Sequence, residues 1–81
     1  MENSPKKVEI LKSMSLANTK SGTITISHIE KPYGKKSKPV VSIGISLKGD
    51  NENPDWKAHI PYENIQEVLE GLNQAYSKYG Q

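Results

Sequence analysis

Through the first three-quarters of the chain, apolar and polar residues take turns; then the period changes. Ile24 and Ile26 alternate with Thr23, Thr25 and Ser27. Val41, Ile43, Ile45 and Leu47 alternate with Val40, Ser42, Gly44 and Ser46. Trp56, Ala58 and Ile60 alternate with Lys57 and His59. A period of two marks a strand with one face against a core. A weaker alternation sets Val8, Ile10, Lys12 and Met14 against Lys7, Glu9, Leu11 and Ser13. Strands are therefore predicted near 7–14, 23–29, 40–48 and 56–60. From Tyr62 to Tyr79 the apolar positions are 65, 68, 69, 72, 75, 76 and 79. Gaps of three and four keep these residues on one face of a helix.

The connections carry turn chemistry. Ser15 to Gly22 is small and polar, with Asn18 and Gly22 as turn formers. Lys31 to Pro39 has two prolines and a glycine, and Gly49 to Asp55 is a polar turn leading into the last strand. Pro61 suits a first helical turn and Gly80 a C-cap, although no Ser, Thr or Asp stands at the N-cap. The order is β-β-β-β-α. This predicts an α+β domain over 7–80, behind a flexible tail at 1–6. Its four-stranded antiparallel sheet is a meander, with one C-terminal amphipathic helix packed on one face. The core face is expected to hold Val8, Ile10, Met14, Ile24, Ile26, Val41, Ile43, Ile45, Leu47, Trp56, Ala58 and Ile60, under the helix stripe. The opposite face is expected to hold Lys7, Glu9, Leu11, Thr23, Thr25, Ser27, Ser42, Gly44, Ser46, Lys57 and His59. Such a face can be left to water.

Composition narrows the field. The 81 residues make one domain, and a lone core of that size is marginal, so self-association is expected. With no cysteine, neither disulfides nor a thiolate metal site supports the fold. No apolar run approaches the ~20 residues of a membrane helix, and the N-terminus lacks the apolar segment of a signal peptide. A cytoplasmic protein is expected, nucleoid-associated if bacterial. The net charge of +2 hides an asymmetry: residues 1–48 carry +6 and residues 49–81 carry −4. All eleven basic residues are Lys, so the bidentate fork that reads guanine edges is missing. Contacts to a nucleic acid would fall mainly on phosphate and be indifferent to sequence.

Candidate chemistry is sparse. His28 and His59 are the two histidines, and no phosphate loop, HExxH or GxSxG motif accompanies them. They read as ordinary strand residues, and neither an enzyme nor a cofactor is expected. Asp50 to Asp55 fails the spacing of a calcium loop, because Pro54 sits where a third ligand belongs. The segment from Lys31 to Lys38 is either a solvated hairpin loop or a basic finger on a phosphate backbone. In the second reading Lys31, Lys35, Lys36 and Lys38 contact phosphate, Lys7 and Lys57 assist from the outer face, and Tyr33 stacks on a base. Small residues at Ser42, Gly44 and Ser46 would let a backbone or an unstacked base come close. Trp56 reads as a core residue at the strand entrance or as a second stacking platform.

The element order resembles two groups of single-stranded nucleic-acid-binding proteins, the positive-cofactor-4-like transcriptional coactivators and the Pur-alpha-like proteins. The resemblance is clearest where Trp56-Lys57-Ala58-His59-Ile60 passes through Pro61-Tyr62-Glu63 into the helix. Thr23-Ile24-Thr25-Ile26-Ser27 is similar to their second strand, and the Lys-rich loop to their basic hairpins. The chain departs from both in lacking Arg and in having few aromatics on the candidate face. The resemblance implies a homodimer that binds single-stranded DNA or RNA along a curved sheet, in a transcription-regulating or architectural role. The alternatives are a protein-interaction module using a strand edge or the helix face and, third, a small-ligand-binding domain.

Overall fold

In a computed structural model that describes residues 7–80, strands β1 (Lys7–Ser15), β2 (Thr23–Glu30), β3 (Val40–Ser46) and β4 (Trp56–Pro61) precede helix α1 (Tyr62–Tyr79). The expected tail at 1–6 lies outside the described residues. The strands form one antiparallel sheet in the order β1-β2-β3-β4, a meander. The α+β class and the element order are those the hydrophobic pattern predicts. Asn18 adopts a positive φ of 67° in the first turn, as its short polar side chain allows. Leu16 N–H closes that turn by donating to the Gly22 carbonyl at 2.9 Å.

Two placements differ from the alternation pattern. The first is in β1, where the register slips between Ile10 and Lys12 and Leu11 has no partner on β2. This bulge reverses the parity of the strand's first half. Val8 lies opposite Ile29 and Ile10 opposite Ser27. Both therefore sit on the hydroxyl face with Ser27 and Ser42, not with Ile24 and Ile26. Lys7 and Glu9 move the other way, opposite Glu30 and His28.

The second is which face is covered. The expected core residues Ile24, Ile26, Val41, Ile43 and Ile45 are only half-buried. The buried residues lie on the other face: Ile29, Val40, Thr25, Ser27, Ser42 and Ser46. The segment 47–55 folds over that face. Asn51 Oδ1 accepts hydrogen bonds from Thr23 Oγ1 at 2.8 Å and Thr25 Oγ1 at 3.0 Å. Ser46 Oγ accepts from Asp50 N–H at 2.8 Å, and Asp55 Oδ2 from Leu47 N–H at 2.7 Å. Pro54 lies over Gly44, where an added Cβ would meet its ring at 3.4 Å. Asp50 Oδ1 also accepts from the Glu52 and Asn53 amides, so this acidic turn is bound up in its own backbone.

The helix starts where the notional turn would be, directly after Pro61, and contacts the sheet mainly along β4. None of its residues is buried. Leu69, Leu72, Tyr76 and Tyr79 are exposed, so the helix does not lie over the sheet of its own chain as expected. The molecule is long, 51 × 30 × 17 Å, with a radius of gyration of 14.5 Å. A compact chain of this length would have about 12 Å.

Glycines 49 and 71 give opposite expectations for alanine. Gly49 has φ +79°, and a Cβ there would meet the Ser21 carbonyl oxygen at 2.7 Å. Gly49→Ala is expected to cost about 1–3 kcal/mol, as strained backbone does. Gly71 is inside α1 with nothing within 4 Å of an added Cβ. Gly71→Ala should stabilise by about 0.5–1 kcal/mol. Thermal denaturation of both variants measures the contrast.

Candidate nucleic-acid interface

The covered face holds a groove of about 400 Å³. Its floor is Thr25, Ser27, Ser42 and Gly44; Val8, Ile10 and Ile29 form one wall, and Asn51 and Pro54 another. Lys57, opposite Gly44 on the outermost strand, also lines it. Its chemistry is mixed: aliphatic walls, hydroxyls on the floor and one cation. Glu52 also lines it and works against an anion there. Residues 42, 44 and 46 are small, and the 47–55 segment uses that space: Ser42 and Ser46 are buried and Pro54 lies over Gly44.

The Lys-rich loop is ordered and tied to the same face. Lys31 takes a positive φ of 55° and Gly34 one of 123°, which turn the chain back on itself. Ser37 Oγ accepts from Tyr33 N–H at 3.0 Å and donates to the Gly34 carbonyl at 2.7 Å. Tyr33 OH is hydrogen-bonded to His59 Nδ1 at 2.8 Å, with the two rings 5.7 Å apart and tilted by 49°. His59 stands opposite Ser42. Tyr33 therefore pins the loop to the hydroxyl face, while its ring stays mostly exposed.

A second pair sits on the other face. His28 Nδ1 is hydrogen-bonded to Tyr62 OH at 2.6 Å, and His28 Nε2 is 3.4 Å from Glu30 Oε2. This contact anchors the first helical residue to β2. Lys38 Nζ and Glu63 Oε2 pair at 3.3 Å between the loop and the first helical turn. Glu63 is held below the usual carboxylate range, first by its own backbone N–H and then by Lys38. Its negative charge at the start of the helix also suits the positive end of the helix dipole.

Not all of the residues singled out in the sequence are brought together. Lys31, Lys35 and Lys36 project from the exposed loop, and Tyr33 and Lys57 share the groove side. Lys38 is spent on Glu63. Lys7 is on the opposite face because of the bulge. Trp56 stands opposite Ile45, also on the opposite face, and is 58% exposed rather than in a core. Asn51 and Tyr62 were not expected to shape the site. A Ser or Thr on a strand reads as solvent-facing, and nothing local in Asn51 marks its long-range bonds. Among the described residues no three His, Cys, Asp or Glu side chains come together as a metal site, and no helix is long and apolar enough to cross a membrane.

Comparison with known proteins adds no relative: no family model matches the chain, and neither a curated protein nor a solved structure does.

Proposed function

We propose that this is a non-enzymatic, single-stranded nucleic-acid-binding protein that works as a homodimer in a coactivator-like or architectural role. The observation that carries the reading is the Tyr33–His59 contact. It ties the loop that carries Lys31, Lys35 and Lys36 to His59 on the hydroxyl face, the face whose groove Lys57 lines. In this reading the lysines contact phosphate and Tyr33 stacks on a base. Lys7 and Trp56 drop out of the surface, and Lys38 contributes only by giving up Glu63. A protein-interaction module remains the second reading, favoured by the exposed apolar stripe of the helix.

Fluorescence anisotropy with labelled single-stranded DNA and RNA at several salt concentrations tests the proposal. Affinity should fall with salt at a log–log slope of about −0.7 per phosphate neutralised. Changing Lys31, Lys35 and Lys36 together to Gln should flatten that slope by about two units, for any oligonucleotide sequence. Tyr33→Ala should lose about 1–3 kcal/mol with little change in slope. Lys7→Gln, on the other face, should change neither. Absence of binding at low salt would sink the nucleic-acid reading and promote the interaction module.

A further inference from the structure

We propose that the groove on the hydroxyl face is a binding site for a small aliphatic α-amino acid in its zwitterionic form. Four hydroxyl side chains are buried on that face: Thr25, Ser27, Ser42 and Ser46. The 47–55 segment bonds two of them, Thr25 through Asn51 Oδ1 at 3.0 Å and Ser46 through the Asp50 amide at 2.8 Å. Ser27 and Ser42 differ. They stand opposite each other on β2 and β3, are 8% and 5% exposed, and line the groove. Among the described residues neither of their hydroxyls has a hydrogen-bond partner. Side-chain polar groups withdrawn this far from water are ordinarily bonded, so the two point to something held in the groove.

The strand register sets a gradient of chemistry along the groove. Val8 lies opposite Ile29; one row on, Ile10 lies opposite Ser27 and Ser27 opposite Ser42; one row further, Gly44 lies opposite Lys57. The bulge at Leu11 is what brings Val8 and Ile10 to this face. One end is therefore aliphatic, and the middle carries the two unbonded hydroxyls. The other end carries charge of both signs, Lys57 on β4 and Glu52 on the covering segment. Neither charge is in an ion pair among the described residues. Successive rows on one face are two residues, or about 7 Å, apart. A short branched side chain bridges that distance, with its body against Ile10 and Ile29 and its head beside Lys57 and Glu52.

The pair of opposite charges selects the class of ligand. A fatty acid or a phosphate meets Lys57 but is repelled by Glu52, and an amine meets the reverse. A zwitterion satisfies both, its carboxylate on Lys57 and its ammonium on Glu52. The Ser27 and Ser42 hydroxyls can donate to the carboxylate or accept from the ammonium. The volume of about 400 Å³ belongs to the lower end of the ~300–1,000 Å³ of small-molecule sites. The site shares Lys57 with the proposed nucleic-acid surface but does not rest on that reading. Lys31, Lys35 and Lys36 take no part in it, and its test contains no nucleic acid.

L-Leucine titrated into the full chain, followed by methyl and amide NMR, is the test. Shifts should gather at Val8, Ile10 and Ile29 and spare Ile43 and Ile45 on the opposite face. The analogue 4-methylpentanoate lacks the ammonium, and 3-methylbutylamine lacks the carboxylate. Each should bind at least about tenfold more weakly, the factor that one hydrogen bond between charged groups is worth. Charge variants should then erase these preferences one at a time. Glu52→Gln should bring 4-methylpentanoate level with leucine, and Lys57→Gln should do the same for 3-methylbutylamine. Both side chains are exposed, so neither change should disturb the fold. Ser42→Ala should weaken leucine by about threefold to tenfold without loss of stability, because its hydroxyl bonds nothing within the chain. Lys35→Gln, on the loop, should leave leucine binding unchanged. Equal binding of leucine and 4-methylpentanoate to the unaltered chain would overturn the zwitterion site in favour of a plain carboxylate site. An absence of shifts at Val8, Ile10 and Ile29 in millimolar leucine, or shifts spread evenly over both faces, would overturn the proposal outright.

Discussion

Ile29→Ala should lower the unfolding free energy by about 2–5 kcal/mol, the loss usual for a buried Ile. Ile29 is 5% exposed and faces Val40, the other buried apolar residue, across the β2–β3 pair. Val8 flanks it on β1. These residues lie beside the root of the lysine loop, so the loss also loosens the surface that Tyr33 ties down. Ile10→Ala is the matched control. It has the same chemistry and the same face, but Ile10 is 58% exposed, and it should cost less than about 1 kcal/mol. Urea denaturation with both m-values reported separates them. Equal losses at the two positions would mean that the core is not seated on the hydroxyl face.

Leu72→Ala should behave in a way that depends on protein concentration. Within one chain Leu72 is 58% exposed, so truncating it should cost little in the isolated copy. If the proposed homodimer covers the helix stripe, the loss should rise to about 2–5 kcal/mol per copy. Gln74→Ala and Glu67→Ala, on the far side of the helix, should stay within about 0.5 kcal/mol at any concentration. Thermal melts over a wide dilution series give the answer. The difference between Leu72→Ala and Gln74→Ala should shrink as dilution dissociates the dimer. A penalty at Leu72 that ignores concentration would place the helix against its own chain.

The candidate site was legible only in part, for reasons that differ from residue to residue. Lys31, Lys35, Lys36 and Tyr33 stand out because their composition and their prolines mark an exposed loop, whatever the fold. Lys57 follows from the alternation of its strand. Lys7 does not, because a bulge at Leu11 inserts one residue into the count and turns everything before it over. Alternation in β1 is too weak to reveal the slip. Trp56 was placed with the right neighbours, Ala58 and Ile60, but their face is not covered within the chain. Lys38 reads as a free cation until its long-range partner Glu63 is known.

What the sequence by itself determined is the set of elements and their order. Period-two runs, a period-3.6 run and the turn residues between them are local properties, and four strands and a helix follow from them. The tertiary structure alone decided which face of the sheet is covered. Alternation separates the Ile row from the Ser and Thr row, but it cannot say what will lie against either. The 47–55 segment reaches the hydroxyl row through Asn51, Ser46 and Pro54, contacts between residues far apart in the chain. The helix does not cover the Ile row: it meets the sheet mainly along β4, and none of its residues is buried. An apolar stripe tells that a surface must be buried; only the path of the backbone tells whether its own chain can bury it.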